Sequence, residues 1–237
     1  MAIRSPVIDF HSHILSRVDH GCASTEESIR QLSLMRSFGT DIAVATSHFY
    51  PHISTANDFT RKVERALLRL RDYEITSSPK LCIGAEVLLC ENLCSMSDLG
   101  SLCIRGTRVI LLELPLHQLR ENHYDTVEEL ISMGYTVVLA HIDRYLKRYP
   151  ESVKNMLDIG ALAQINADSL GHIGIRRTIL DLLAKTDRIC AVGSDLHGVD
   201  DKLYKKFATA DKHLRDHLQT VMARSARLLE GAQTIEF

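Results

Sequence analysis

The sequence predicts an α/β barrel, and three observations support that fold class. Seven short apolar segments alternate with segments of helical periodicity along the 237 residues. The apolar segments lack the polar alternation of a half-exposed sheet, which indicates parallel strands that helices cover. Histidines or acidic residues stand at or near the C-terminal end of most of these segments, where α/β barrels place their functional side chains.

The first strand covers residues 7–13 and ends in His11-Ser12-His13. Side chains two positions apart on a strand point to the same face, so the imidazoles of His11 and His13 are placed to bind one metal ion. A His-x-His pair alone is weak evidence. It gains weight because four later strands carry similar residues.

The second unit is a helix followed by a strand. Ser24 or Thr25 can cap the helix, and Gly39 ends it. An apolar strand over 41–46 then leads to His48. Residues 49–58 are predicted to form a loop beside the site. Further helices are predicted at 57–75, 122–133, 151–159, 174–186 and 211–230.

Two middle strands carry a carboxylate each. Glu86 lies in the strand over 81–87, and Glu113 lies in the strand over 109–114. An unpaired buried carboxylate costs several kcal/mol, so each needs a partner. Neither strand carries an arginine that obviously serves this purpose, whereas a cation would satisfy both.

The last three strands follow helices that end at glycine or at a short turn. The strand over 137–140 leads to His141, the strand over 161–166 carries no predicted site residue, and the strand over 189–193 leads to Ser194-Asp195-Leu196-His197. Imidazole and carboxylate donors without cysteine favour manganese, iron or zinc over a thiolate site. Carboxylates bridge cations, so we expect two or three metal ions and hydrolytic chemistry, with phosphoryl transfer first.

The composition indicates one domain over residues 1–237. The net charge of −2 gives no basic footprint of a nucleic-acid-binding protein. No apolar run is long enough for a membrane span, and the first strand begins too early for a signal peptide. We therefore expect a cytoplasmic protein whose six cysteines stay reduced.

Other site classes lack their motifs. None of the six cysteines has an arginine six residues on, as a cysteine-dependent phosphatase requires, and no phosphate-binding glycine loop occurs. An amidohydrolase, which also opens with His-x-His, usually has a bridging lysine where Glu113 stands.

Seven motifs in order along the chain resemble the PHP-domain metallophosphatases. The closest branch is similar to the bacterial manganese-dependent tyrosine phosphatases that regulate capsule and exopolysaccharide synthesis. The motifs are His11-x-His13, Val18-Asp19-His20-Gly21, Ala45-Thr46-Ser47-His48, Gly84-Ala85-Glu86-Val87, Leu112-Glu113-Leu114-Pro115, Ala140-His141-Ile142-Asp143-Arg144-Tyr145 and Ser194-Asp195-Leu196-His197.

The resemblance implies a distorted seven-stranded (β/α)7 barrel, which is TIM-like, with three metal ions. It implies that each metal ion has its own set of donors. The first set is His11, His13, Glu113 and Asp195. The second is His48, Glu86 and His141 with a bridging carboxylate, and the third is His197 with His20. Arg144 matches the arginine that contacts phosphate in the family, and a guanidinium fork suits phosphate oxygens.

Three departures from the family pattern affect these expectations. His20 stands where the family usually has an acid, so Asp19 is the alternative ligand of the third metal. The family's His-Pro-Glu-Arg is His-Ile-Asp-Arg here, ending at Arg144. A family arginine that contacts substrate falls at Lys202.

The resemblance implies a metal-dependent protein-tyrosine phosphatase that acts on the tyrosine-rich tail of a bacterial tyrosine kinase, with manganese as the first metal. Two alternatives stay open. One is a small-molecule phosphoesterase of the PHP type, similar to histidinol phosphatase, and the other is a degenerate barrel that binds a partner without catalysis. The general acid is also open between His52, Asp143 and a metal-bound water.

Overall fold

The computed structural model describes residues 5–214 and 217–237. The strands are β1 (Ile8–His13), β2 (Ile42–Phe49), β3 (Lys80–Leu88), β4 (Val109–Glu113), β5 (Thr136–Leu139), β6 (Leu162–Asn166), β7 (Ile189–Gly193), β8 (Leu196–His197) and β9 (Thr234–Ile235). The helices are α1 (Thr25–Ser37), α2 (Ala56–Arg71), α3 (Glu121–Ser132), α4 (Asp143–Leu146), α5 (Pro150–Asp158), α6 (Ile173–Lys185), α7 (Asp201–Ala208), α8 (Asp211–Leu214) and α9 (His217–Leu228).

The strands form one parallel sheet that curls into a barrel. Strands β1 to β7 are neighbours in chain order, and β8 pairs with the free side of β1. Because β8 follows β7 almost directly, this pairing closes the sheet, and the Asp195 N–H donates to the His11 carbonyl at 2.8 Å. A Cβ on Gly193 would lie 2.5 Å from the His11 Cβ, so the close approach requires glycine.

The predicted α/β barrel is confirmed, with a small difference in strand number. The path around the barrel contains eight strands rather than seven, because the two residues of β8 continue the line of β7. The remaining strand, β9, pairs antiparallel with β3 outside this path. All seven predicted strands are present.

A bulge in β1 aims the His-x-His pair. Asp9 lies opposite Ala43 and Ser12 lies opposite Ala45, so β1 has one residue more than β2 over this interval. Such a bulge changes the face to which the following side chains point. Asp9 Oδ1 accepts the Ser194 N–H at 2.9 Å, and the Asp9 carboxylate also interacts with Tyr204 of α7.

The predicted helices are present with shifted ends. Ser24 caps α1, since its hydroxyl accepts the Glu27 N–H at 3.2 Å. Helix α2 ends at Arg71 rather than at residue 75, and the hydroxyl of Tyr73, beyond its end, donates to Glu26 of α1 at 2.7 Å. A tertiary contact thus accompanies the early end of the helix.

The C-terminal helices differ most from the prediction. Helix α7 was not predicted, because it is short and buries only Tyr204 and Phe207. The long helix predicted at 211–230 corresponds to α8 and α9, and residues 215–216 between them lie outside the described residues.

Two predictions from composition have counterparts in the structure. No helix in residues 5–214 or 217–237 is both long enough and apolar enough to span a membrane. All six cysteines are free thiols, and four of them are buried in the core as small apolar groups.

Candidate metal centre

The donors that the sequence predicted converge at the carboxyl ends of the barrel strands. Among the described residues, three groups have ligand atoms within 4.8 Å of one another, and they overlap to form one cluster. The groups are His11, His13, Glu86 and Asp195, then His48, Glu86 and Glu113, and then His13, His48 and His197.

The first group is buried. His11 Nε2 and His13 Nε2 lie 3.2 Å apart, and each lies close to Glu86 Oε2, at 3.1 and 3.3 Å. Asp195 Oδ1 completes the group at 3.3 Å from His13 Nε2. Two imidazole nitrogens and two carboxylate oxygens thus face one point, which is the donor set and number of a tetrahedral metal site.

The second group shares Glu86 with the first. His48 Nδ1 lies 2.9 Å from Glu86 Oε2 and 3.7 Å from Glu113 Oε2. His141 Nε2 contacts the other oxygen of Glu86, Oε1, at 2.7 Å. Glu86 is therefore placed to bridge two cations.

The grouping differs from the one that the resemblance implies. Glu113 was expected beside His11 and His13, whereas the structure places Glu86 there and puts Glu113 with His48. The exchange follows from strand order, since β3 lies nearer to β1 than β4 does.

The third group lies at the open end of the cluster. The exposed ring of His20 stacks on the rings of His48 and His197, with centroid separations of 4.8 and 4.6 Å. Asp19, the alternative ligand, has both oxygens engaged in hydrogen bonds. His20 therefore reaches this group through ring contacts, and Asp19 reaches it through hydrogen bonds with His13 and His48.

Asp19 supports two donors from behind. Its Oδ2 accepts from His13 Nδ1 at 2.7 Å and from the His48 backbone N–H at 2.8 Å, and its Oδ1 accepts from the Gly21 N–H. Burial would raise the pKa of Asp19, but the hydrogen bonds from His13 and the two backbone amides hold it far below its ordinary value. A carboxylate in this position fixes the tautomer of a ligating histidine.

The electrostatics of the cluster fit a cation. Burial would raise the pKa of Glu86, yet the imidazoles of His11, His13 and His141 hold it well below its ordinary value, so the carboxylate is ionised. Its buried Oε2 has ring nitrogens of His11, His13 and His48 within 3.3 Å but forms no hydrogen bond of good geometry with them, and His48 Nδ1 likewise forms none. Orphaned buried polar atoms are costly, and a divalent cation between these donors would satisfy them.

At the exposed end of the cluster, the pKa values of His197 and Glu113 are shifted. Burial and the neighbouring His13 lower the pKa of His197 to about 4, so its ring is neutral and free to act as a ligand at neutral pH. Burial and the charge of Glu86 raise the pKa of Glu113.

Strand β6 contributes a hydrogen-bond chain that the sequence analysis missed. The buried Gln164 Oε1 lies 3.2 Å from His11 Nδ1 and accepts the His141 N–H at 2.7 Å. Gln164 Nε2 donates to Asn166 Oδ1 at 2.9 Å, and Asn166 Nδ2 donates to Asp195 Oδ2 at 3.0 Å. Two neutral amides therefore hold donors from β1 and from the end of β7.

Two donors have strained backbones. His141 and Asp195 have positive φ angles of 32° and 54°, in the left-handed region that L-residues rarely adopt. The contacts from Gln164 and Asn166 hold both residues in that conformation. Strain of this kind is concentrated at functional sites.

The predicted phosphate ligands occupy different positions. The Arg144 guanidinium, 45% exposed, contacts Asp195 Oδ2 and therefore lies at the edge of the cluster. Lys202 is exposed in the first turn of α7, and its ammonium forms no ion pair with the described donors. Arg144 thus lies at the edge of the cluster, and the substrate contact predicted for Lys202 stays a prediction.

The structure also separates the candidate general acids. Asp143 is buried, accepts the Asn166 N–H at 2.8 Å and accepts the Ser169 hydroxyl, so it anchors α4. His52 is exposed in the β2–α2 loop. Between His48 and His52 stands Tyr50, which the sequence analysis did not single out; its ring stacks on His48 at 5.3 Å.

A curled parallel barrel with a buried imidazole and carboxylate cluster at its strand ends defines a class, the metal-dependent β/α-barrel hydrolases. Within this class the chain belongs to the CpsB/CapC family of capsular polysaccharide synthesis proteins, because the family model matches residues 7–228. The family predicted from the motifs is confirmed.

The chain is also similar to individual proteins of known sequence and structure. The chain is 26% identical to the tyrosine-protein phosphatase CpsB of Streptococcus pneumoniae, over 83% of this chain and 85% of that protein. It matches a chain from the crystal structures of Bacillus subtilis YwqE and S. pneumoniae CpsB, described as unique metal-dependent tyrosine phosphatases, with a TM-score of 0.75 at 21% identity and 96% coverage of both chains. A histidinol phosphate phosphatase from Lactococcus lactis shares the fold, with a TM-score of 0.53 at 13% identity, covering 87% of this chain and 92% of that one.

Proposed function

We propose that this protein is a metal-dependent phosphomonoester hydrolase that removes phosphate from phosphotyrosine in proteins. The observation that carries the proposal is the buried donor cluster with the guanidinium of Arg144 at its edge. The names of the relatives agree with this activity, which the motifs also predicted.

The cluster offers places for two or three divalent cations. His11, His13, Glu86 and Asp195 would hold one, and His48, Glu86, Glu113 and His141 would hold a second, with Glu86 shared. His20, His48 and His197 would hold a third. Bound metals of this kind lower the pKa of a bound water and neutralise charge on phosphate oxygens.

The chain itself supplies orientation and charge. The planar guanidinium of Arg144 can donate two hydrogen bonds to a phosphate, and to do so it leaves Asp195 Oδ2. We assign Lys202 a weaker, point-charge contact with the phosphate or with nearby substrate.

A tyrosyl leaving group, with a pKa of ~10, needs less protonation than a serine. Since Asp143 is buried in other hydrogen bonds, we favour the exposed His52 as the general acid on this chain.

The finer assignments follow the family. We propose manganese as the metal, with iron or zinc as substitutes that the same nitrogen and oxygen donors accept. The proposed substrate is the phosphorylated tyrosine-rich tail of a bacterial tyrosine kinase, and the proposed location is the cytoplasm, where such a kinase domain acts in capsule or exopolysaccharide synthesis.

A chelator-and-substrate experiment tests the proposal. Metal-stripped protein should be inactive, and manganese should restore hydrolysis of p-nitrophenyl phosphate and of phosphotyrosine peptides, with phosphoserine peptides and histidinol phosphate turned over much more slowly. A preference for histidinol phosphate would instead support the small-molecule phosphoesterase that the shared fold allows. Metal binding without turnover of any ester would support the non-catalytic barrel.

A further inference from the structure

We propose that a cavity beside the metal centre binds the side chain of a residue next to the phosphotyrosine, and that this side chain is large and apolar. This inference rests on the proposed function. The cavity, here called the flanking cavity, has a volume of about 500 Å³ and is lined by residues after β2, β3 and β4. Its walls include Pro51, His52, Leu89, Met96, Pro115 and His123.

The flanking cavity adjoins the donor cluster through residues that neighbour the donors. Pro115 stands two positions after the donor Glu113, and the Leu89 N–H donates to the Glu113 carbonyl at 2.9 Å. On the other side a row of rings leads from His48 through Tyr50 to His52, with centroid separations of 5.3 and 6.0 Å. A substrate whose phosphate lies at the cluster therefore has the cavity directly beside it.

The distance suits a neighbouring residue of the substrate. Consecutive Cα atoms of an extended peptide are about 3.8 Å apart, and adjacent side chains point in different directions. Each of the two ring separations between His48 and His52 is between one and two such steps, so the whole row spans at most about three. A large side chain within two positions of the phosphotyrosine can therefore extend to the cavity while the phosphate stays at the donor cluster.

The lining combines an apolar wall with a polar rim. Leu88, Leu89, Met96 and the two prolines supply the aliphatic wall, and Glu91, Asn92 and three histidines supply the polar atoms. The buried His123 is fixed because its Nδ1 accepts the Arg120 N–H at 2.9 Å. Burial and the neighbouring His117 lower the pKa of His123, so this imidazole adds a neutral ring. Pockets of this size and composition bind apolar groups, with a few polar atoms that fix orientation.

The segment after β5 differs from the flanking cavity in charge. Arg144 contacts the donor Asp195, and Arg144, Lys147 and Arg148 are exposed in this segment, so it attracts phosphate and acidic groups. A peptide bound at the cluster would have this cationic segment and the flanking cavity as two different neighbours. The cavity, and not the cationic segment, is therefore the place for a large apolar side chain.

A filling variant tests the proposal. Met96→Trp should occupy the flanking cavity, while Met133→Trp, at an exposed position after α3, serves as the matched control. The substrates are phosphotyrosine peptides in which the two residues on each side are changed in turn from alanine to leucine or phenylalanine, together with p-nitrophenyl phosphate. The manganese-loaded protein is used throughout, and kcat/KM is measured.

The wild-type protein should prefer a large side chain at one flanking position by about tenfold or more, as apolar pockets do. Met96→Trp should remove that preference and leave p-nitrophenyl phosphate hydrolysis unchanged, and Met133→Trp should retain the preference. If Met96→Trp does not fold, Asn92→Trp at the rim of the cavity takes its place.

Two results would overturn the flanking-site assignment. One is equal kcat/KM for all flanking residues in the wild-type protein. The other is an equal loss on p-nitrophenyl phosphate in the filled variant, which would show that the cavity holds the aryl ring itself. Failure to hydrolyse any phosphotyrosine peptide, with p-nitrophenyl phosphate still turned over, would instead contradict the proposed function.

Discussion

The two ends of the donor cluster differ in how their histidines are held. At the closed end, His11 and His13 are buried, and each has a fixed partner on the ring nitrogen that faces away from the cluster, Gln164 for His11 and Asp19 for His13. At the open end, the His197 side chain is 28% exposed and its Nδ1 lies 3.0 Å from the Asp195 carbonyl, while the exposed His20 stacks on its neighbours and forms no hydrogen bond with other described residues. The closed end is therefore buried and held by side-chain partners, and the open end is more exposed and held by fewer contacts.

This difference indicates that the metal sites are not equivalent. Partners behind a ligating histidine fix its tautomer and orientation and raise metal affinity. We therefore expect tight binding at the closed end and weaker, exchangeable binding at the open end. The replacement of the family's acid by His20 acts in the same direction, because it removes one negative charge.

The strongest test removes the shared donor. Glu86→Gln keeps the size of the side chain but removes the charge that both closed-end groups use. We expect loss of at least about 10³-fold in kcat with fewer bound metal ions, measured by metal analysis and p-nitrophenyl phosphate turnover. Glu128→Gln, at an exposed position of α3, should behave as wild type. Full metal content in the Glu86 variant would contradict the preorganised closed end.

A second test separates phosphate binding from metal binding. Arg144→Lys removes the guanidinium fork and should lower kcat/KM by about 10²-fold with metal content unchanged, since a point charge cannot donate two parallel hydrogen bonds. Arg148→Lys, also exposed nearby, is the control and should change little. A loss of metal in the Arg144 variant would mean that the arginine holds Asp195 in place rather than the substrate.

A third test addresses the support behind the closed end. Gln164→Met has a similar shape but cannot accept from His11 or donate to Asn166. We expect about 10–100-fold weaker manganese affinity by titration, together with lower activity that added metal partly restores. Gln219→Met on exposed α9 should not alter affinity. Unchanged affinity in the Gln164 variant would show that the amide chain has no role in metal binding.

The smallest effect is expected at the open end. His20→Ala should remove at most one metal ion and lower kcat by no more than about tenfold, or ~1.4 kcal/mol. His20→Asp, which restores the acid of the family pattern, should bind that ion more tightly than wild type. Metal content per chain measured against manganese concentration distinguishes the variants. Loss of all bound metal in His20→Ala would contradict the distinction between the two ends.

The barrel was predictable because its signals are local. Each strand is an apolar run, glycines end several helices, and the donors follow their strands within a few residues, as at His48 and His141. Parallel strands bring their carboxyl ends to one edge, so the convergence of these donors also followed from the sequence.

The rest depended on contacts between distant parts of the chain. Gln164 and Asn166 are neutral amides on an apolar strand, and only the folded barrel shows that they bond to His11 and Asp195. The partition of Glu86 and Glu113 between groups depends on strand neighbours and not on spacing. Helix α7 was missed because its two buried side chains are too few for a periodic pattern.

The closure of the barrel by β8 against β1 has a consequence for synthesis on the ribosome. His11 and His13 leave the exit tunnel early, whereas Asp195 and His197 are among the last residues of the barrel to emerge. These distant chain segments must come together before the cluster can form. A nascent chain that stops before residue 195 holds His11, His13 and Glu86 without Asp195, the fourth member of their group. Tight retention of metal would therefore report that translation has passed this point and that the ends of the barrel have joined.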